Sequence, residues 1–382
     1  MTDWAAVRAR YPAAQTKAYL DTACKGIPPP EAVAAVEEFC RFVRESPLPS
    51  VTDETIVVLE HMTRARREAA LLVNADETEI ALVESTQQGL YAAADLLAVG
   101  PEEHVLASDV EFFGTVLPWR GRLRLVAHCR GRPEVDDFAA AIVGRTRAIV
   151  VSAVQEVTGA LVDLPALSEL CLDRDLWLIV DGAQHVGPMP FDVREIPVDV
   201  LAVGGHKWLC CPFGLGVAYV RRKRLEERSP SRPGYFALDP PPEGWSVYLE
   251  DPRRTPVDDL DFTQTARALE PGGTGPYMAA AALAECLASL NALPGRFDRV
   301  QELVALLVDG LDRLGLDVVS PRDRRSGIVV FDLSDAHMLV DRLAGAGVAV
   351  SLRYTTGIGG IRVSPYLYND ETDVERLLAA LT

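Results

Sequence analysis

Short apolar runs of strand length, separated by helical segments, constrain the fold of this 382-residue chain more than any other feature. The intervening segments carry apolar residues at helical spacing, as in LVDLPALSELCLDRD. Strands that alternate with helices are typical of a mainly parallel sheet covered on both faces. The runs that predict this sheet are HVLASDVE, RLRLVAHC, RAIVVSAV, LWLIVDG and DVLAVGG.

The second half of the chain predicts a separate unit. After GVAYVRRKRL the segment SPSRPGYFALDPPPEGWS is rich in proline, glycine and serine, which indicates a long excursion on the surface or around the site rather than part of a domain core. Two helical segments then lead into a run of strand, helix, strand, strand and helix. We therefore predict an α/β protein with a large domain at 21–265, a smaller C-terminal α+β domain at 266–382, and an N-terminal segment, 1–20, that packs on the small domain.

Charge and composition exclude several classes of protein. A formal net charge of -17 argues against wrapping nucleic acid or lying on an anionic membrane, because both would repel the chain. No stretch approaches the roughly 18 consecutive apolar residues of a membrane span, and the start, MTDWAAVRARYP, lacks the apolar run of a signal peptide. We expect a cytoplasmic protein that binds neither nucleic acid nor membrane.

The cysteines favour reduced thiols over a disulfide framework. There are seven, an odd number, and most lie within apolar helical or strand patterns. Cys210 and Cys211 are adjacent, whereas cysteine ligands of zinc are usually separated by about two residues or more. We expect this pair to pack in the core, and we predict no metal site.

Chemically capable side chains follow two of the predicted strands. LWLIVDGAQ places Asp181 and Gln184 after one strand, and DVLAVGGHK places His206 and Lys207 after another. Functional groups of a parallel sheet gather beyond the carboxyl ends of its strands, so we expect Asp181 and Lys207 to lie together. A strand-end aspartate alone is equally typical of a turn or a helix cap.

A lysine and an aspartate at one edge of a sheet match the needs of pyridoxal phosphate. The lysine amine condenses with the cofactor aldehyde, and the carboxylate keeps the ring nitrogen protonated. The phosphate needs fixed donors, which the start of a helix supplies. Ser85, Thr86 and Gln87 open a predicted helix directly after a strand, although an ordinary helix cap shows the same pattern. His206 is a further candidate donor.

Motifs that carry a family resemblance occur in order along nearly the whole chain. They are YLDTA near the start, EFFGTVLPW, DGAQ, GHKWL followed by PFG, GGT, and IRVS with YN beyond it. Together they resemble the class V aminotransferase family of fold-type I pyridoxal-phosphate enzymes, which includes cysteine desulfurases, kynureninases and isopenicillin N epimerases. The resemblance implies a fold-type I architecture, a pyridoxal-phosphate cofactor, and a homodimer with its active site at the subunit interface.

The resemblance also implies how individual residues hold the cofactor. Lys207 would form the covalent link, Asp181 would pair with the ring nitrogen, and Gln184 would approach the phenolic oxygen. Phe112 falls where the family stacks a ring on the cofactor face, although a core phenylalanine is a plain alternative. The implied phosphate ligands are Ser85, Thr86, Gln87, His206 and, for the phosphate of the neighbouring subunit, Thr274, which is otherwise an ordinary turn residue.

On the substrate side, the resemblance implies that Arg362 grips the α-carboxylate with a bidentate guanidinium. Cys24, in DTACKGIPPP, lies in the segment that lines the substrate side in relatives. Arg353 with Tyr354 forms a second polar cluster near the carboxylate end, where it could bind another acidic group of the substrate. The alternatives are a core thiol for Cys24 and a surface ion pair for either arginine.

Departures from the family pattern narrow the reaction. Cysteine desulfurases carry a nucleophilic cysteine shortly before the carboxylate-binding arginine, and GAGVAVSLRYTTGIGGIR contains none. We therefore favour a β-eliminating carbon-sulfur lyase that acts on cysteine or an S-substituted cysteine through a Schiff base. An aminotransferase, an amino-acid epimerase and an inactive binding protein on the same scaffold stay open. Gln155 and Glu156 stand where relatives often have an asparagine near the cofactor, so contacts from that strand are not assigned.

Overall fold

A seven-stranded sheet forms the centre of the molecule in a computed structural model that describes residues 2–255, 261–270 and 272–382. One strand, Gly216–Val220, runs antiparallel to both of its neighbours, and the other pairings are parallel. The predicted mainly parallel α/β fold is therefore confirmed. In spatial order the strands are Ile80–Val83, Gly216–Val220, Val200–Gly204, Trp177–Asp181, Thr146–Ser152, His104–Ser108 and Leu123–Val126.

The strands of this sheet are buried on both faces, except at the edge strand Leu123–Val126, which explains their continuous apolar runs. Successive residues point to opposite faces of a strand. Accordingly, Leu178 and Val180 pack in one hydrophobic cluster, whereas Trp177 and Ile179 pack in another. The helices, many of which cover these faces, are Trp4–Ala9, Pro12–Thr16, Pro30–Glu45, Val51–Val73, Thr86–Leu97, Phe113–Val116, Val135–Ala141, Leu164–Asp173, Arg222–Glu227, Trp245–Glu250, Tyr277–Asn291, Arg296–Arg313, Ala336–Gly345 and Glu371–Leu381.

A smaller antiparallel sheet lies in the C-terminal part of the chain. Its strands, in spatial order, are Ser351–Thr355, Ile358–Val363, Val329–Asp332 and Asp317–Val318. A parallel pair, Ala18–Tyr19 with Val348–Ala349, connects the N-terminal segment to this unit. The domain ranges 1–20, 21–265 and 266–382 stay predictions, and each includes residues outside the described part.

The helices can be judged as membrane spans by their length and composition. Within 2–255, 261–270 and 272–382, no single helix is both long and apolar enough to cross a membrane. One pair reaches the required length and composition together, Tyr277–Asn291 with Arg296–Arg313, but it is bent by 78°. The first of these helices packs against Pro30–Glu45 and Val51–Val73.

The elements that the sequence pattern did not predict include one strand of the large sheet and one long helix. The strand Gly216–Val220 follows the Lys207 turn and completes the sheet between Ile80–Val83 and Val200–Gly204. The helix Pro30–Glu45 begins at a proline, which is tolerated in the first turn because its missing N–H has no partner there anyway. Only Ala32 of this helix is buried, although its apolar residues Val33, Val36, Phe39 and Val43 recur at helical spacing.

A buried ion pair stabilises the sheet at the end away from Lys207. Asp199 directly precedes the strand Val200–Gly204, and its Oδ1 accepts a hydrogen bond of 2.8 Å from Arg224 Nε. Its Oδ2 accepts a hydrogen bond of 2.9 Å from the Leu178 backbone N–H. The Arg224 guanidinium lies 4.6 Å from the centroid of the Trp177 ring. Two strands and one helix therefore meet at this carboxylate.

Asp199→Ala is expected to lower the free energy of unfolding by about 3 kcal/mol, because it leaves the buried Arg224 charge without its main partner. The matched control is Glu227→Gln, which removes a more exposed carboxylate that contacts the same arginine at 2.8 Å. That change should cost less than about 1 kcal/mol. Urea unfolding followed by circular dichroism measures both variants, and equal losses would contradict the role of the buried pair.

Candidate active site

The carboxyl ends of two neighbouring strands bring Asp181 and Lys207 to the same edge of the sheet. Asp181 is the last residue of Trp177–Asp181, and Lys207 lies in the turn that follows Val200–Gly204. These strands pair in parallel, so their ends lie side by side. The structure therefore places both residues where the sequence predicted them.

The Asp181 carboxylate and the Lys207 amine are both buried and lie close enough for their charges to interact. Asp181 Oδ2 accepts a hydrogen bond of 2.7 Å from the Thr115 hydroxyl, and Oδ1 accepts one of 2.9 Å from the Ala183 N–H. Burial raises the pKa of Asp181 and lowers the pKa of Lys207. The charge of each residue opposes the shift in the other. A second cation beside Asp181, such as a protonated ring nitrogen, would hold this carboxylate in its ionised form.

Phe112 lies against the same site. The Lys207 Nζ atom is 5.8 Å from the centroid of the Phe112 ring. Gly114 makes this position of the ring possible, because a Cβ atom there would come within 2.8 Å of Phe112 Cε1. The same Cβ would be 3.9 Å from Gln87 Oε1, so Gln87 is also near. The ring position agrees with stacking on a planar cofactor, a role that stays a prediction.

Two potential hydrogen-bond donors, Thr86 and His206, lie close to Gly204, where the Lys207 turn approaches a helix start. Ser85 caps the helix Thr86–Leu97 and accepts a hydrogen bond of 3.2 Å from the Gln88 N–H. A Cβ atom at Gly204 would lie 2.9 Å from Thr86 Oγ1 and 3.5 Å from the His206 ring. Glycine at position 204 therefore lets the Thr86 hydroxyl and the His206 ring come close to the backbone, beside a helix N-terminus. These are the kinds of group that bind a phosphate, a role that stays a prediction.

Two predicted cofactor residues have contacts of different kinds. Gln184 donates a hydrogen bond of 3.0 Å to the Ala23 carbonyl, and its Oε1 accepts one of 2.7 Å from Trp208 Nε1. These bonds hold the amide in one orientation beside the site. Thr274 is exposed, and its hydroxyl lies 3.4 Å from that of Tyr235, apart from the residues around Lys207. Its predicted contact with a neighbouring subunit stays a prediction.

The three predicted substrate-side residues lie together, because both arginines contact the sulfur atom of the cysteine. Cys24 Sγ lies 2.8 Å from Arg362 Nη2 and 2.9 Å from Arg353 Nη2. Arg362 is buried, and its Nη1 atom is 3.0 Å from Glu156 Oε2. The sequence did not indicate this ion pair, since Glu156 was only noted as a departure from the asparagine of relatives. The surface ion pair considered for Arg362 is wrong, because the side chain is 1% exposed.

Glu111 is a buried residue on the Asp181 side of the site, and the sequence analysis gave it no role. Glu111 accepts hydrogen bonds from the Ser152 N–H at 3.0 Å and from Gln155 Nε2 at 2.8 Å. Its Oε2 also contacts the Ser152 hydroxyl. Burial raises the pKa of Glu111 to about 7. Its place directly before Phe112 in EFFGTVLPW was the available signal.

Glu111→Gln is expected to make stability less dependent on pH. Burial raises the pKa of Glu111 from 4.5 to about 7, so between these pH values the folded protein binds a proton that the unfolded chain has released. The free energy of unfolding therefore falls as the pH rises from 4.5 to about 7. The glutamine cannot ionise and avoids a loss on the order of 2 to 3 kcal/mol. Urea unfolding at pH 5 and pH 8 measures the difference, and parallel profiles for variant and wild type would contradict it.

The fold and the site together define an α/β enzyme scaffold in which a buried lysine and a buried carboxylate lie at neighbouring strand ends, close to the start of a helix. The sequence profile described as Aminotransferase class-V matches residues 18–377. The chain belongs to the class-V aminotransferase family, as its motifs predicted.

Individual relatives agree with this assignment. The probable cysteine desulfurase of Staphylococcus epidermidis is 26% identical over 306 residues, which are 73% of this chain and 69% of the relative. The cysteine desulfurase CsdA from Escherichia coli has a similar structure, with a TM-score of 0.84 at 23% identity, covering 100% of this chain and 98% of that one. The cystine C-S lyase C-DES, solved with its product cysteine persulfide, has a TM-score of 0.85 at 20% identity, covering 97% and 98%. The predicted fold is confirmed by these similarities.

Proposed function

We propose that the chain is a pyridoxal-phosphate-dependent carbon-sulfur lyase that acts on L-cysteine or an S-substituted L-cysteine. The observation that carries the proposal is the meeting of Lys207 and Asp181 at adjacent strand ends, beside the donors Thr86 and His206. The similarity to cysteine desulfurases and to a cystine C-S lyase supports a substrate with sulfur on its β-carbon. Substrate and water yield pyruvate, ammonia and a thiol.

Lys207 and Asp181 are the two catalytic residues of the proposal. When bound, the cofactor supplies an electron-withdrawing ring that weakens the bonds of the substrate α-carbon. Asp181 holds the proton of the ring nitrogen through a charge-assisted hydrogen bond, worth about 1.5 to 3 kcal/mol. Lys207 would hold the cofactor through its aldehyde carbon, and its amine accepts the α-proton of the substrate. Its lowered pKa keeps more of the amine neutral and able to accept that proton.

The remaining site residues bind and orient. The Thr86 hydroxyl, the His206 ring and the helix N-terminus hold the phosphate, and Ser85 and Gln87 belong to the same helix start. Gln184 would donate to the phenolic oxygen of the cofactor, because its amide nitrogen has a second hydrogen beyond the one bonded to Ala23. Together with the Phe112 ring on the cofactor face, these contacts orient the substrate bonds at the catalytic pair.

Elimination is favoured because the usual sulfur acceptor is absent from its expected segment. Residues 345–362, which lead to Arg362, contain no cysteine. Loss of a thiolate from the β-carbon needs no thiol of the enzyme, whereas persulfide formation does. The α-proton removed by Lys207 and the leaving thiolate therefore account for the reaction without another nucleophile.

Cys24 favours a second candidate, a cysteine desulfurase that uses a thiol from a different segment. Its sulfur lies at the substrate side, within hydrogen-bond distance of Arg353 and Arg362. In that reaction the Cys24 sulfur would bond to the substrate sulfur as the Cβ–S bond breaks, which gives alanine and a persulfide on Cys24. The two reactions have different products and are separable by experiment.

Product analysis tests the proposal. The cofactor-loaded protein is incubated with L-cysteine and S-ethyl-L-cysteine, and we expect equimolar pyruvate and thiol. Alanine with a protein persulfide, both lost in Cys24→Ser, would select the desulfurase. Pyridoxamine phosphate or a D-amino acid would select an aminotransferase or an epimerase, and a cofactor spectrum that no amino acid changes would indicate an inactive binding protein.

We also propose a cytoplasmic homodimer in which Thr274 reaches the phosphate of the neighbouring subunit. The exposed aromatic rings of Phe113 and Phe213, beside Phe112 and His206, support a second subunit that covers the site. Sedimentation equilibrium at micromolar concentration tests this arrangement. A monomeric protein with full activity would contradict it.

A further inference from the structure

Each nitrogen atom of the buried Arg362 guanidinium has a partner within the protein. Its Nη1 atom pairs with Glu156 at 3.0 Å, its Nε atom donates to Ser351 Oγ at 3.3 Å, and its Nη2 atom lies 2.8 Å from Cys24 Sγ. The Asp21 carboxylate is 3.8 Å from Nη2. Two carboxylates therefore already neutralise the arginine that the family resemblance assigns to the α-carboxylate.

Arg353 is placed differently. Its Nη2 atom lies 2.9 Å from the same Cys24 sulfur, and its Nη1 atom donates to the Leu352 carbonyl at 2.8 Å. Among the residues that the structure describes, no carboxylate forms an ion pair with Arg353. Two guanidinium groups thus point at one sulfur atom, and only one of them has acidic partners. Arg353 contributes the positive charge that an incoming carboxylate needs.

Glu156 faces both this arginine pair and the catalytic pair. Within the described ranges its carboxylate pairs only with Arg362, through Oε2, which leaves Oε1 for another donor. Burial lowers the pKa of Lys207 and raises that of Asp181, and the charge of Glu156 opposes the first shift and adds to the second. Arg362, which Glu156 contacts at 3.0 Å, also contacts Cys24 on the substrate side. A substrate side chain bound between these groups would meet the charge of Glu156.

The charges at this end of the site balance before any substrate binds. Arg353 and Arg362 provide two positive charges, and Asp21 and Glu156 provide two negative ones. The α-carboxylate of an amino acid adds one negative charge beside Arg353, and a second carboxylate on its side chain would add another next to Glu156. An ammonium or N–H donor on the side chain would instead restore the balance.

Resting on the proposed function, we propose that Glu156 selects the substrate by charge. It admits L-amino acids whose side chains are neutral or carry a cationic or N–H donor group, and it rejects those with a second carboxylate. Arg353 and Arg362 together take the α-carboxylate. The substituent on the substrate sulfur is therefore not acidic, which excludes the second acidic group considered for Arg353.

Three cysteine derivatives of similar size test the selection. They are S-ethyl-L-cysteine, S-(2-aminoethyl)-L-cysteine and S-carboxymethyl-L-cysteine, and their dissociation constants are measured by rapid mixing, from the change in cofactor absorption before turnover. We expect wild type to bind the aminoethyl compound at least about tenfold more tightly than the carboxymethyl compound, equal to about 1.4 kcal/mol. In Glu156→Gln the ratio of these two dissociation constants should fall close to one, and the affinity for the ethyl compound should change by less than about threefold.

Two variants serve as controls. Glu156→Asp keeps the carboxylate and should keep the preference, whereas Arg353→Gln should weaken all three compounds alike, because they share the α-carboxylate. An unchanged ratio in Glu156→Gln, or an equal loss for all three compounds in that variant, would overturn the inference. A wild-type protein that never gains a cofactor spectrum would instead refute the proposed function.

Discussion

Lys207→Ala protein is expected to carry out the proposed elimination at least about 10³-fold more slowly than wild type and to form no reducible bond with the cofactor. The substitution removes both the amine that binds the aldehyde carbon and the base that takes the α-proton. Wild-type protein treated with borohydride should carry the cofactor mass on the peptide that contains Lys207. Absorption spectra and peptide mass spectrometry measure both properties.

A surface lysine provides the control for this result. Lys223 is exposed and pairs with Glu227 on the helix Arg222–Glu227, far from the candidate site in the sheet. Lys223→Ala should keep both the reducible bond and the turnover of wild type. The assignment of Lys207 fails if Lys207→Ala still yields a stoichiometric reducible bond at another lysine and retains turnover.

Asp181→Asn is expected to keep the covalent bond to Lys207 and to lower kcat by about 10²- to 10³-fold. The amide has the shape of the carboxylate, but it carries no charge and cannot hold a proton on the ring nitrogen. The α-proton is then harder to remove, whereas substrate binding through Arg353 and Arg362 is unaffected. Steady-state kinetics should therefore show a fall in kcat with little change in KM.

Thr115→Val separates the charge of Asp181 from its orientation. The Thr115 hydroxyl donates a hydrogen bond of 2.7 Å to Asp181 Oδ2, so its removal costs one hydrogen bond and leaves the charge in place. We expect kcat to fall by about fivefold to tenfold, equal to roughly 1 kcal/mol. Wild-type kcat in Asp181→Asn, or equal losses in the two variants, would contradict the role of the charge.

Local patterns predicted the parts of the site that lie close to strand ends. Asp181 and Lys207 each follow a continuous apolar run, and parallel strands end at the same edge of a sheet, so their meeting follows from two short segments. The helix start at Ser85 and Thr86 was also predictable from the sequence, because helix capping depends on residues that are neighbours in the chain. The family motifs added roles for these residues but no geometry.

Contacts between distant segments were not predictable in this way. Glu156 and Arg362 are separated by 206 positions, and nothing near either residue indicates that the two side chains meet. The buried position of Glu111 beside Ser152 likewise depends on how two strands and the turn after one of them pack. Side-chain direction and burial decide such pairs, and a single sequence contains neither.

The sequence by itself determined the α/β sheet, the family, and the lysine and aspartate at its edge, because alternating apolar runs and strand-end motifs are local properties of the chain. The tertiary structure alone decided which groups surround the substrate. It placed Cys24 between Arg353 and Arg362 and set Glu156 against Arg362, since those positions depend on the packing of the C-terminal sheet onto the N-terminal segment and the large sheet.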